Sequence, residues 1–276
     1  MDKTFLAAGM EISLDKTEIM VLNYKEKRSI SLRGRELKTV DAFTYLGIIQ
    51  EKNAESGQAI EQRMEKAAKA FGMLTGLWRS DLKWHIKGMM FATMVRSILL
   101  YGAATWTTKA EDFRALEVFE AGCLRRILRV SRMDLVSTES LRRKLGLATN
   151  TKEEVAKQRI RLFRHAYESG EKSLLRVIVE AEMTKVTNCK AGRPAKRWIN
   201  SVEEDFKSYG LGLYSARGLA LKCTKEEFAK KVDLKQERIS TRTARTAVRS
   251  RSYKSAANRR TATRLLDNLT EEDYWR

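Results

Sequence analysis

Phe43-Thr44-Tyr45-Leu46-Gly47-Ile48-Ile49 is the last part of this chain that reads as strand. Aromatic and β-branched side chains surround one glycine, the composition of a strand running into a tight turn. At about Asn53 the apolar period changes from two to 3.6. Ile60, Met64, Ala67, Phe71, Leu74 and Trp78 then step by fours and threes, which sets all six on one helical face. The fold class turns on that change, with β-structure before it and helix after it.

Upstream, Thr4 to Ala8 reads as a helix end with Gly9 as its C-terminal cap. Ile19-Met20-Val21-Leu22 is short, apolar and β-prone. Ser29 to Arg33 alternates around Ile30 and Leu32, Gly34 supplies a turn, and Leu37 and Val40 mark a further strand. Strands this short and this close together form hairpins, not βαβ units. Downstream, Ser80 is placed to cap a helix carrying Trp84, Gly88, Phe91, Val95 and Ile98, which stops near Gly102. Thr108 with Glu111 makes a capping box for a helix carrying Phe113, Leu116, Phe119, Cys123 and Ile127. Two more helices run from about Thr138 to Leu145, ended by Gly146, and from Lys152 to about Ser169, capped by Thr151 with Glu154. The prediction is an α+β fold: a small antiparallel β region over 1–52, a helical bundle over 53–170 and a helical extension over 171–234. Residues 235–276 read as a basic tail, disordered or marginally helical.

The 276 residues are 43% apolar, enough for a core in one or two domains. Lys and Arg number 54 against 35 Asp and Glu, and a net charge of +19 draws polyanions, either nucleic acid or an anionic membrane surface. Cys123, Cys189 and Cys223 lack metal-ligand spacing, and His85 and His165 are the only histidines, so no metal site is expected. The longest apolar run, Gly88 to Val95, meets Arg96 far short of the roughly 20 residues a bilayer needs, and Met1 to Ala8 is no secretory signal. The expectation is an intracellular protein, nuclear or cytoplasmic, with no membrane partner.

The exposed helix faces are expected to carry Lys66, Lys69, Arg79, Lys83 and Lys87, then Arg125, Arg126, Arg129 and Arg132. Acidic partners are scarce around Leu124 to Arg132, so a solvated face and a phosphate-facing one both stand. The helix, turn and helix of 138–169 also fit a helix-turn-helix reader of DNA, its second helix bearing Lys157, Gln158, Arg159, Arg161 and Arg164. Lys190, Arg193, Lys196 and Arg197 flank the only proline, Pro194, ahead of Trp198, in a loop that is an interdomain linker, a phosphate contact or both. Arg242, Arg245, Arg249 and Arg251 belong to a stretch, 235–264, with ten Lys and Arg against the single Glu237, a source of salt-sensitive, sequence-independent affinity. No hydrolytic triad, Walker A loop or strand-borne carboxylate doublet is present, and Glu203-Glu204-Asp205 reads as a solvated helix face.

Residues 1 to about 210 resemble the C-terminal part of a non-LTR (LINE-like) retrotransposon reverse transcriptase, the endonuclease-reverse transcriptase family. Gly9-Met10-Glu11-Ile12-Ser13-Leu14-Asp15-Lys16-Thr17-Glu18 is similar to its palm segment GL-x-I-N-x-x-K-T-E, and Phe43-Thr44-Tyr45-Leu46-Gly47 to its F-x-Y-L-G primer grip. Leu99-Leu100-Tyr101-Gly102 with Thr105-Trp106 resembles the LLYG-x-x-x-W of the thumb. Arg159 to His165 resembles RLRWxGH, with Leu162 and Arg164 where the family has tryptophan and glycine, and Gly192-Arg193-Pro194 with Trp198 resembles GRP-x-x-x-W. The resemblance implies a palm remnant over 1–52, with Lys16 as a general-acid candidate and Phe43, Tyr45, Leu46 and Gly47 holding a primer end, followed by a thumb. It implies RNA and DNA as partners (a template-primer or hybrid) and admits a second chain supplying the missing palm. The family's magnesium-binding aspartate doublet lies upstream of the first motif and is not in this chain, so no cofactor is expected here. The parent activity is RNA-directed DNA polymerase, and the fragment is expected to bind without polymerising. The alternatives are an active enzyme whose gene model lost its N-terminal part and the helix-turn-helix DNA-binding protein.

Overall fold

A computed structural model describes residues 2–21, 29–52, 55–184 and 196–233. The fold is α+β, in two compact units, Met1–Gln62 and Arg63–Arg276.

In the first unit, α1 (Asp2–Ala7) ends in a left-handed glycine, Gly9 at φ 72°. Gly9 N–H donates to the Leu6 carbonyl and Met10 N–H to that of Phe5, at 3.0 and 2.9 Å, which satisfies two orphan carbonyls of the last turn. Strands β2 (Ser31–Leu32) and β3 (Arg35–Glu36) form one hairpin, and β5 (Ala42–Tyr45) and β6 (Ile48–Glu51) another. Both turn through two residues at positive φ, Arg33-Gly34 and Leu46-Gly47, the turn whose twist matches that of paired strands. One pairing departs from the expected antiparallel set. β1 (Glu18–Ile19) runs parallel to β4 (Lys38–Thr39), with Glu18 opposite Lys38 and their side chains ion-paired at 2.9 Å. Among the described residues of 2–52 only Leu37 is buried.

The second unit is helical. α2 (Gly57–Met73) crosses into it and breaks at Leu74, and α3 (Thr75–Arg79) follows. α4 (Trp84–Met90) continues through a π-helical stretch, Phe91–Arg96, into α5 (Ser97–Leu99), and the run stops at left-handed Gly102. A 3₁₀ turn, Ala103–Thr105, leads to α6 (Ala110–Leu128). Then come α7 (Thr138–Lys144), α8 (Thr151–Glu168), α9 (Leu174–Thr184), α10 (Trp198–Ser208) and α11 (Leu213–Lys222). No helix among the described residues is long and apolar enough to cross a membrane.

The expected stripes are inward: Ile60, Ala67, Phe71, Trp78, Phe91, Val95, Leu116, Cys123 and Ile127 are buried. A second cluster joins α8 to α10, with the Phe163 and Phe206 rings 5.1 Å apart edge to face. The caps differ from expectation. Ser80 closes α3, and α4 starts after Lys83. α6 starts after Lys109, whose N–H is taken by Asp112 at 2.6 Å, because the Thr108 hydroxyl is engaged by Arg159. α8 starts after Asn150, which exchanges hydrogen bonds with Glu153.

Burial pushes the Tyr167 and Tyr209 phenols up to about 12. An unfolded tyrosine ionises near 10, so the stability these neutral phenols contribute is intact below about pH 10 and is lost as pH climbs towards 12. An ultraviolet titration should show a tyrosine fraction that ionises late and together with loss of helical circular dichroism. Complete, reversible ionisation of all tyrosines near pH 10 with helicity retained would contradict this.

Candidate nucleic-acid interface

The first unit presents an aromatic tip. The β5–β6 register puts Tyr45 opposite Ile48, and Leu46 and Gly47 close the turn at φ 49° and 78°. Tyr45 is 62% exposed and Leu46 73%, with Phe43 two residues back on the same strand face also exposed. Lys16 ends a 3₁₀ turn, Leu14–Lys16, that is held by Thr17 Oγ1 donating to the Ser13 carbonyl at 2.6 Å. Lys16 is exposed, and its neighbour Asp15 pairs with Arg35 at 3.1 Å.

The candidate cations of the second unit separate into two groups. Lys66, Lys69, Arg126, Arg129 and Arg161 are exposed. Lys69 also donates to Glu65 one turn back at 2.8 Å, and that hydrogen bond lowers the Glu65 pKa. The other group is committed inside the fold. Arg125 donates to the Val136 carbonyl at 3.0 Å. Lys196 spans the Thr108 carbonyl and Glu204, at 3.1 and 2.6 Å, and Arg197 pairs with Glu182 at 3.1 Å. Arg164 is buried, donating to the Thr224 carbonyl at 2.8 Å, paired with Glu168 and lying over the Phe228 ring. It is therefore no phosphate contact, contrary to expectation. Lys87, expected on a solvated face, is fully buried, its Nζ donating to the Trp78 and Ser80 carbonyls and capping the end of α3. Lys190, Arg193, Arg242, Arg245, Arg249 and Arg251 lie outside the described residues.

Two buried charge networks are the features that sequence reasoning missed. Arg159 makes a two-pronged pair with Asp205 at 2.6 and 2.9 Å and donates further to the Trp106 carbonyl and Thr108 Oγ1. Asp205 is thus a buried partner and not part of a solvated face. Burial raises its carboxyl above the ordinary range even though Arg159 pulls the other way. Glu120, with no solvent exposure, is held by Arg96 and by Arg142, the latter at 2.8 Å. Helical phase could have marked all of them: Arg159 and Asp205 lie on the apolar stripes of α8 and α10, and Glu120 on that of α6.

Arg159 also ties distant motif segments together. Trp198 Nε1 donates to the Ala104 carbonyl at 2.7 Å, across 94 residues, in the same turn that Arg159 reaches through the Trp106 carbonyl. Leu99–Trp106, Arg159–His165 and Trp198 therefore meet around the 3₁₀ turn after Gly102. With Arg159 and Arg164 spent in the interior, α8 keeps Lys152, Arg161 and His165 exposed and Lys157 and Gln158 half-buried, two arginines fewer than the sequence expectation for a recognition helix. Comparison with protein-family models, curated proteins and solved structures finds no match to this chain.

Proposed function

We propose that this chain is the C-terminal fragment of a non-LTR retrotransposon reverse transcriptase, acting inside the cell as a binder of template-primer nucleic acid without polymerase activity of its own. The observation that carries the reading is the β5–β6 tip: an aromatic and a leucine side chain held in solvent by a turn that gains nothing from exposing them. Stacking under a nucleotide is the use such a group has. The charge of +19 and the exposed Lys66, Lys69, Arg126, Arg129 and Arg161 supply the phosphate affinity. The meeting of three motif segments at one turn supports the resemblance, since chance matches have no reason to converge in space. Phe5, Leu6, Met10 and Ile30 are exposed too, so the first unit has little core of its own. That supports a partner chain supplying the rest of a palm.

The test is anisotropy of a labelled RNA–DNA primer-template, titrated with the full chain and with a version ending at Leu234, over a salt series. The shortened protein is expected to bind, to prefer a recessed primer end to plain duplex, and to lose that preference on Tyr45→Ala. The salt slope counts phosphate contacts at about 0.9 each. If all affinity goes with residues 235–276, residues 1–234 bind nothing and the reading fails. Metal-dependent nucleotide incorporation by the isolated chain would overturn the non-polymerising half of it.

A further inference from the structure

α6 ends without a glycine. Arg129 occupies the left-handed position at φ 54°, while Arg129 N–H donates to the Arg126 carbonyl and Val130 N–H to that of Arg125. The chain then turns through 131–136, where Ser131 N–H donates to Asp134 Oδ2 at 2.6 Å, Met133 N–H to Ser131 Oγ at 3.2 Å and Leu135 N–H to the Arg132 carbonyl. Val130 and Val136 are buried at its two ends, and Arg125 holds the Val136 carbonyl from within. The loop is short, internally bonded and pinned at its base.

Its tip is nonetheless apolar and strained. Met133 is 88% exposed and Leu135 77% exposed, and Leu135 sits at φ 52°, where a branched side chain is disfavoured. A simple connection from α6 to α7 has no use for either feature. Arg126 and Arg129 in the last turn and cap of α6 and Arg132 in the loop itself are exposed, and Arg129 donates to the Arg79 carbonyl at 3.3 Å. Asp134, the one carboxylate of the loop, is turned onto a backbone N–H.

We propose that this loop is a wedge for duplex nucleic acid. Arg126, Arg129 and Arg132 take the phosphates, and Met133 and Leu135 enter between adjacent base pairs and part them. The inference rests on the nucleic-acid reading above. An anionic membrane surface would also attract cations beside apolar groups, but two side chains offer less apolar depth than a myristoyl chain, which alone binds only marginally. Parting one base step takes only a side chain or two.

The experiment uses the full chain and RNA–DNA hybrids carrying 2-aminopurine at successive DNA positions. Anisotropy reports binding, and 2-aminopurine fluorescence rises where a base loses its stacking neighbour. Wild type is expected to bind and to raise the fluorescence at one or two adjacent positions. The double variant Met133→Ser, Leu135→Asn keeps a residue that tolerates the left-handed conformation, and its thermal unfolding serves as the folding check. It is expected to lose the rise and about tenfold in affinity, the lower end for one buried apolar side chain, with its salt slope unchanged. Arg132→Ala is expected to do the reverse, keeping the rise and reducing the salt slope by about one contact. A double variant that matches wild type in affinity and fluorescence overturns the wedge. Binding without any fluorescence rise overturns the wedge and leaves the nucleic-acid reading standing, whereas no binding to any duplex removes both. Binding to phosphatidylserine vesicles that the double variant loses, without any fluorescence response on duplex, overturns it in favour of a membrane surface.

Discussion

Asp205→Ala is expected to destabilise the second unit by about 3–5 kcal/mol, the cost of leaving a buried charge without its partner. Arg159 is the residue stranded: it is 1% exposed, and both prongs of its guanidinium end on the Asp205 carboxylate. Water cannot take over, and the remaining partners, the Trp106 carbonyl and Thr108 Oγ1, are neutral. A loss this size approaches the whole stability of a domain. Urea unfolding followed by circular dichroism measures it. Replacing both partners, Arg159→Met with Asp205→Leu, is expected to restore much of the loss, because the penalty comes from the orphaned charge. A single variant within about 1 kcal/mol of wild type would mean that the Arg159 site is open to water.

The second large effect is expected at Gly88→Ala. A Cβ there would lie 2.0 Å from the Leu145 carbonyl oxygen and 2.9 Å from its carbon, so α4 runs directly against the end of α7. Both contacts are backbone atoms, which cannot rotate away, and the helices must separate. The expected loss is about 3 kcal/mol, the upper end for overpacking. Gly122 makes the control. It lies inside α6, where an added Cβ would meet nothing within 4 Å, so Gly122→Ala is expected to stabilise by about 0.5–1 kcal/mol through helix propensity alone. The same chemical change should thus move the melting temperature in opposite directions at the two sites. If both variants melt above wild type, the close approach of α4 to α7 is wrong.

Much of the fold was legible because apolar phase is a repeating signal. Ile60 to Trp78 and Phe113 to Ile127 carry it over several turns, and the buried residues follow it. The turn glycines Gly34 and Gly47 were legible for a different reason, since each closes a two-residue turn that needs positive φ. The parallel β1–β4 ladder was not, because two-residue strands are too short to show a period. The caps of α6 and α8 slipped by one residue. Thr108 has the chemistry of a cap, but a hydroxyl can serve only so many partners, and here Arg159 has it.

The site was legible in part. Exposure of Tyr45 and Leu46, and of Arg126 and Arg129, was open to inference from turn type and helical phase. The loss of Lys87, Arg159 and Arg164 to the interior was written in the same phase, overridden by the habit of placing charge outside. What phase cannot supply is pairing. Nothing in the order of residues says that Arg159 should choose Asp205 over any other carboxylate, since that choice is made by the packing of α8 on α10.

The Arg159–Asp205 bond also sets a schedule for biosynthesis. Its carboxylate lies 46 residues after its guanidinium, so a ribosome adding roughly 5–20 residues per second delivers Asp205 about 2–9 s after Arg159. Through that interval α6 and α8 can meet, but the arginine between them has no counter-charge and keeps its hold on water. Only α10 supplies the carboxylate that Arg159 meets in the fold. The buried ion pair that joins α8 to α10 is therefore completed only by the later part of the second unit, and residues 63–168 alone lack that partner.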